Sequence, residues 1–207
     1  MLVHGLWVSG WSLGFLRRRL EQDGFRVAVF SFPTVRHGLG ANASALAAFA
    51  AGQPGDRVHF VGHSLGGLVI LRMLTEAAPT RPGRVVLIGS PVRGCRAARP
   101  MFRFAWSRAL LGRCLPAWDP AIAARRSWPC EVGIIAGALP VGLGRLLVSL
   151  DEPSDGTVTV AETRLDAGAD HLVLPTTHTG MLLSRGVARA IGHFLRQGRF
   201  ERSPLPP

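Results

Sequence analysis

A serine becomes a nucleophile at neutral pH only beside a base, and the base serves only if another group orients it. Three separated segments of this sequence carry those residue types. Gly62-His63-Ser64-Leu65-Gly66 has the G-x-S-x-G spacing of a sharp strand-to-helix turn that presents a serine hydroxyl. Such a turn strains the serine backbone, and the flanking glycines keep neighbouring segments from clashing. In a chain with 25 glycines, the spacing alone arises by chance in roughly one chain in six, so context decides. Arg57 to Val61 before it reads as a strand, and Leu68 to Leu74 after it reads as a helix.

The base is expected at His178, in the short loop Pro175 to Gly180 between the last strand pattern and the last helix pattern. His193 lies deep in that final helix pattern, and His4, His59, His63 and His171 lie in or next to strands, where a structural role is the default. Asp155, in Ser154-Asp155-Gly156-Thr157-Val158, is the expected orienting acid, although Asp-Gly is also an ordinary turn dipeptide. Its rivals are Asp151 and Glu152 in the same loop, and Asp170 against the start of the last strand. The oxyanion that forms on attack needs two fixed donors. The backbone NH of Leu65, just after the serine, is one; the NH of Leu6, in Val3-His4-Gly5-Leu6-Trp7, is the other. Gly5, Trp7, His63, Phe102 and Trp106 are expected to contact substrate.

These side chains need a scaffold that brings them to one edge. Six short apolar runs read as strands: Leu2 to His4, Arg26 to Phe32, Arg57 to Gly62, Arg84 to Gly89, Glu131 to Gly137 and His171 to Leu174. Several are apolar almost throughout, as parallel strands covered on both faces are. Trp11 to Gln22, Ala41 to Ala51, Leu65 to Ala77 and Met181 to Arg196 have helical length and periodicity. The alternation predicts an α/β fold with a doubly wound, mostly parallel six-stranded sheet. Residues 1–202 are expected to form one domain, with an insert at about 91–128 and a flexible Pro-rich tail at 203–207.

The net charge is +11, and all 24 basic residues are arginine. Eight of them (Arg93, Arg96, Arg99, Arg103, Arg108, Arg113, Arg125 and Arg126) fall in Pro91 to Trp128 against Asp119 alone, so the insert carries +7 of the total. Phe102, Trp106, Ala109 and Leu110 share one helical face there, and Arg96, Arg99 and Arg103 another. This pattern fits a cap over the site, either touching lipid headgroups or anionic substrates, or packed on its own protein with solvated arginines. No nucleic-acid motif accompanies the charge, so no nucleic-acid partner is expected. The three cysteines lack metal or redox spacing. No apolar run is long enough to span a bilayer, and the N-terminus has neither a basic leader nor a cleavage site, so a cytoplasmic location is expected, with at most peripheral contact at an inner membrane.

With its His4-Gly5 start, its Gly62 to Gly66 turn and its late Ser154-Asp155-Gly156 and His178 segments, the chain resembles a small bacterial α/β-hydrolase of the lipase/esterase kind. The chain order serine, acid, histidine is the order of that family. The sequence lacks the two antiparallel strands that usually open the sheet, a truncation that minimal lipases share. The resemblance implies hydrolysis of carboxylic esters with apolar acyl groups through an acyl-serine intermediate, without metal or organic cofactor. An acyltransferase or thioesterase would use the same three residues, and a non-catalytic basic module binding membrane or nucleic acid is the competing class.

Overall fold

The computed structural model describes residues 1–76, 81–103, 111–141, 152–166 and 169–201. Six strands, β1 (Leu2–Val3), β2 (Val29–Phe30), β3 (Val58–His63), β4 (Pro82–Ile88), β5 (Val132–Gly137) and β6 (Ala169–Leu174), form one sheet in the order β2-β1-β3-β4-β5-β6. Every pairing is parallel. Among the described residues, the α-helices that can be bounded are α1 (Gly14–Gln22), α2 (Leu39–Ala51), α3 (Leu65–Glu76) and α4 (Arg185–Gln197). The expected doubly wound α/β architecture is therefore present, with every strand parallel.

The apolar strands follow from burial on both faces. Val3, Phe60, Val85, Leu87, Val132 and Ile134 pack into a core with α2 and α3, whereas their neighbours Leu2, Val61, Val86, Ile88 and Ile135 pack into a second core with α1 and α4. Successive side chains of a strand point to opposite faces, so both parities must be apolar here. The helices need only one apolar stripe. In α4, Val187, Ala188, Ile191, Phe194 and Leu195 are buried, while α3 is buried on nearly all sides.

Some expected boundaries move. The second strand shrinks to two residues because it is an edge strand that pairs only with the equally short β1. The expected helix from Trp11 splits into a 3-10 turn at Gly10–Leu13 and α1, and that from Met181 into a turn at Gly180–Leu183 and α4. The described part of the insert forms short 3-10 turns at Arg96–Arg103, Leu115–Ala117 and Pro120–Ala124. Pro100 lies inside the first of these, where it removes a donor and crowds the preceding turn. Ala109 and Leu110, expected on the apolar face of the insert, and the tail at 203–207 lie outside the described residues. Among the described residues no helix is long and apolar enough to cross a membrane.

The strand order reverses between β1 and β3, which are neighbours although the chain leaves β1 towards β2 on the other side. In parallel sheets, ligands bind beyond the carboxyl ends of the strands at such a point. Gly5 follows β1 and Ser64 follows β3, so both emerge there.

Candidate active site

Ser64 sits between the last residue of β3 and the first of α3, with φ of 52°. A non-glycine residue in the left-handed region costs on the order of 1–3 kcal/mol and persists only when its surroundings impose it. Here the main-chain NH of Ser64 donates to Ile88 O at 2.9 Å, and its carbonyl accepts from Gly67 N at 3.1 Å. The surrounding glycines are required by contact. A Cβ on Gly62 would lie 2.6 Å from the backbone of Gly67, one on Gly66 would collide with the carbonyl oxygens of Val3 and His4, and one on Gly67 with Ser90 Oγ. The turn is thus pressed against the end of β1, as close approach of two backbones demands.

His178 stands on the loop after β6, and its ring Nδ1 lies 2.7 Å from Asp155 Oδ2. The main chain repeats the link, with His178 N donating to Asp155 O at 2.9 Å. Asp155 is buried, and its Oδ1 accepts from the NH groups of Thr157 and Val158 at 2.9 and 2.7 Å. The adjacent Gly156, at φ 89°, makes the turn that curls these donors back onto the carboxylate. Ring and serine approach through neighbouring residues. Ser64 bonds Ile88, and a Cβ on the following Gly89 would lie 3.1 Å from both His178 Nδ1 and Asp155 Oδ2. The ring centroid of His63, next to Ser64 in the chain, is 4.8 Å from that of His178.

The rival acids are engaged elsewhere. Glu152 is exposed and pairs with Arg96 at 3.1 Å, and Asp170 accepts from Phe200 N at 2.6 Å near the opposite end of β6. Asp151 lies outside the described residues. The other histidines have structural partners. His4 Nε2 accepts from Phe32 N at 3.2 Å while its ring stacks on Phe32; His59 Nδ1 accepts from Arg84 N at 2.8 Å; His171 Nε2 lies 2.9 Å from Thr163 Oγ1. Burial pushes the pKa of all three below the usual imidazole value. His193 faces a cleft of about 430 Å³ with Asp170 and Phe200, and a second cleft of about 540 Å³ is lined by Leu2, Arg57 and His59. Both open at the amino ends of strands, away from Ser64.

Leu65 opens α3, so its NH belongs to the first turn, which has no partner within the helix. Gly5 backs onto the turn: a Cβ there would lie 3.0 Å from His63 Nδ1 and 3.2 Å from Ser64 Cβ. Leu6 follows, and then Trp7, 55% exposed with φ of 60°. Among the described residues Trp7 and Ser64 are the two non-glycine positions in the left-handed region, so both strained positions border the same strand ends. Trp106 and the side chain of Phe102 lie outside the described residues.

A family model described as the alpha/beta hydrolase family matches residues 1–199. The chain belongs to the alpha/beta hydrolase family. Solved structures with the same fold include the mature form of a Bacillus licheniformis lipase, with a TM-score of 0.76 at 18% identity over 95% of this chain and 90% of that one. This chain covers 51% of the propeptide form of that lipase. A metagenomic carboxyl esterase has a TM-score of 0.66 at 20% identity, over 95% of this chain and 74% of that one. A thioesterase from the prodiginine pathway of Streptomyces coelicolor has a TM-score of 0.60 at 15% identity, over 94% and 83%. A comparison with curated proteins returns no match.

Two features of this alpha/beta hydrolase were not singled out in the sequence. Gly89, at φ 56°, leaves room for the Asp155–His178 pair, and a Cβ on Gly137 would press within 2.7 Å of Asp155 Cβ. A glycine ends or follows β1, β4 and β5 (Gly5, Gly89 and Gly137), and that regularity could have pointed to them. The second feature is Glu162, buried among the residues that carry Asp155. Its carboxylate accepts from Thr159 N at 2.8 Å and from Arg96 N at 2.5 Å, while Arg93 N donates to its main-chain oxygen at 2.9 Å. Arg93 also pairs with Asp166, and Arg96 with Glu152. Two arginines of the basic insert therefore face acids of the loop that holds Asp155. Only the spatial meeting of residues some 60 positions apart reveals this, so the sequence held no local sign of it.

Proposed function

We propose that this protein is a serine hydrolase cleaving carboxylic esters with apolar acyl groups, with Ser64 as nucleophile, His178 as base and Asp155 as the orienting acid. The observation that supports it most is the 2.7 Å contact between His178 Nδ1 and buried Asp155 Oδ2, beside a serine held at φ 52°. A carboxylate on Nδ1 selects the tautomer whose Nε2 is free to accept a proton.

The Ser64 hydroxyl oxygen attacks the ester carbonyl carbon while its proton passes to His178 Nε2, and the carbonyl π electrons move onto oxygen. The NH groups of Leu65 and Leu6 receive that oxyanion. The intermediate collapses by breaking the bond to the alkoxy oxygen, which leaves as an alcohol with the proton from Nε2. Water, deprotonated by the same nitrogen, attacks the acyl-serine, and collapse returns the proton to Ser64 and releases the acid. Asp155 stays ionised throughout and stabilises the imidazolium. An acyl thioester enters by the same first step, and the thioesterase among the similar structures keeps that reading as the second.

Labelling with a fluorophosphonate probe tests the proposal. The wild-type protein is expected to be labelled and to turn over a chromogenic short-chain ester, and Ser64→Ala to lose both. A protein that takes no label, or a Ser64→Ala variant that keeps it, refutes the reading.

A further inference from the structure

His63, expected from the sequence as a substrate contact, has a side chain wedged between Gly5 and His178 and is 4% exposed. Its Nε2 lies 3.0 Å from the main-chain oxygen of His178. A carbonyl oxygen can only accept, so Nε2 carries the hydrogen and Nδ1 the lone pair. That Nδ1 is buried without a hydrogen-bond partner. Burial first, then the neighbouring His178 ring, pushes the His63 pKa down to about 3, so the ring stays neutral at working pH.

Among the described residues, three hydrogen bonds hold His178. Two run to Asp155, from the ring Nδ1 and from the main-chain NH. These fix the base relative to the acid, and neither of them reaches the turn that carries the serine. The third comes from the residue adjacent to Ser64. Among the described residues it is the one hydrogen bond between the segment 174–180 and the turn 62–67. We propose that His63 is a positioning residue: by donating from Nε2 to the His178 carbonyl, it holds the imidazole of the base within reach of the Ser64 hydroxyl. The proposal rests on the serine hydrolase reading and adds a role for the variable position of G-x-S-x-G. A displacement of about 1 Å at a reacting group costs on the order of 100-fold in rate, so a single anchoring bond at this place is able to govern turnover.

The test compares His63→Gln, His63→Asn and His63→Phe with the wild type, reading kcat and KM for a short-chain ester, the rate constant of fluorophosphonate labelling, and the melting temperature. The Gln amide nitrogen reaches the place of Nε2, whereas the Asn amide reaches only that of Nδ1. His63→Gln is expected to keep kcat and labelling within about fivefold of wild type, and His63→Asn and His63→Phe to lose about 10- to 100-fold in both with KM nearly unchanged. Three results would overturn the positioning role: full labelling rates in the Asn or Phe variant, a loss carried by KM, or a Gln variant as slow as the Asn variant. Rate losses that simply track melting temperature across the series would also overturn it. A wild-type protein that takes no label instead refutes the underlying hydrolase reading, so the two failures are distinguishable.

Discussion

Asp155 uses its two carboxylate oxygens for different tasks. Oδ1 faces two backbone donors, Thr157 N and Val158 N, and Oδ2 faces His178 Nδ1. In Asp155→Asn, the two NH groups hold the amide oxygen on their side, which turns the NH2 group towards His178. Nδ1 must then accept, the ring proton moves to Nε2, and the base points a hydrogen at Ser64. We expect kcat to fall by about 10⁴, as in the template for this constellation, with the melting temperature little changed. A kcat within tenfold of wild type would move the acid role elsewhere. Gly66 is constrained by backbone rather than by side chains, since the carbonyl oxygens of Val3 and His4 fill the space a Cβ would need. Neither oxygen has a rotamer to move into. Gly66→Ala is therefore expected to lose about 2–3 kcal/mol or more of stability in urea unfolding, together with activity, because the serine rides on the same turn. A stability change under 1 kcal/mol would show that the end of β1 yields.

At the scale of elements, the site is set by where strands stop. The loop carrying His178 ends in a 3-10 turn that leads straight into α4, whose N-cap Ser184 Oγ accepts from Val187 N at 3.3 Å. Removing that acceptor strands a first-turn donor, and Ser184→Ala is expected to cost about 1 kcal/mol in urea unfolding. No loss would mean that water caps the helix equally well. The sequence marked α4 by its apolar spacing but ran it back through Met181, because Gly180 to Leu183 shares the apolar character of the helix. Spacing cannot distinguish a 3-10 turn from the first turn of an α-helix when both bury leucines. The basic insert was harder to read. Its arginines form a charged stripe in the sequence, yet Arg93 and Arg96 turn towards Asp166, Glu152 and Glu162, whose proximity depends on how the β4–β5 and β5–β6 connections lie together.

For the whole molecule, burial of histidines makes stability depend on pH. His63, His4, His59 and His171 all titrate below their ordinary value because burial penalises the charged ring. The unfolded chain takes up protons as the pH falls through about 6.5, while the folded protein does not until lower pH, about 3 for His63. Proton uptake by the unfolded state therefore favours unfolding as the pH falls through that window. Unfolding free energy from urea titration is expected to decline between pH 7 and pH 5, above the carboxylate range, with His63 contributing about 2 kcal/mol of the loss. A flat profile would mean that these rings are charged in the folded protein.

The architecture was legible in the sequence because it follows from local periodicity. Runs such as Val85 to Ile88 must be apolar on both parities when helices cover both faces of a sheet, and the glycines around Ser64 announce a turn that few other residues tolerate. Ser64, His178 and Asp155 could be nominated by residue type and loop position for the same reason. Which acid meets His178 was decided only by tertiary structure, since Asp151, Glu152 and Asp170 are carboxylates in equally plausible stretches of chain. Strand order and the turn at Gly156 put one of the described candidates, Asp155, within 2.7 Å of the ring. The burial of His63 beside the ring of His178 likewise depends on β3 and the loop after β6 ending side by side, a relation between residues 115 positions apart that no local pattern encodes.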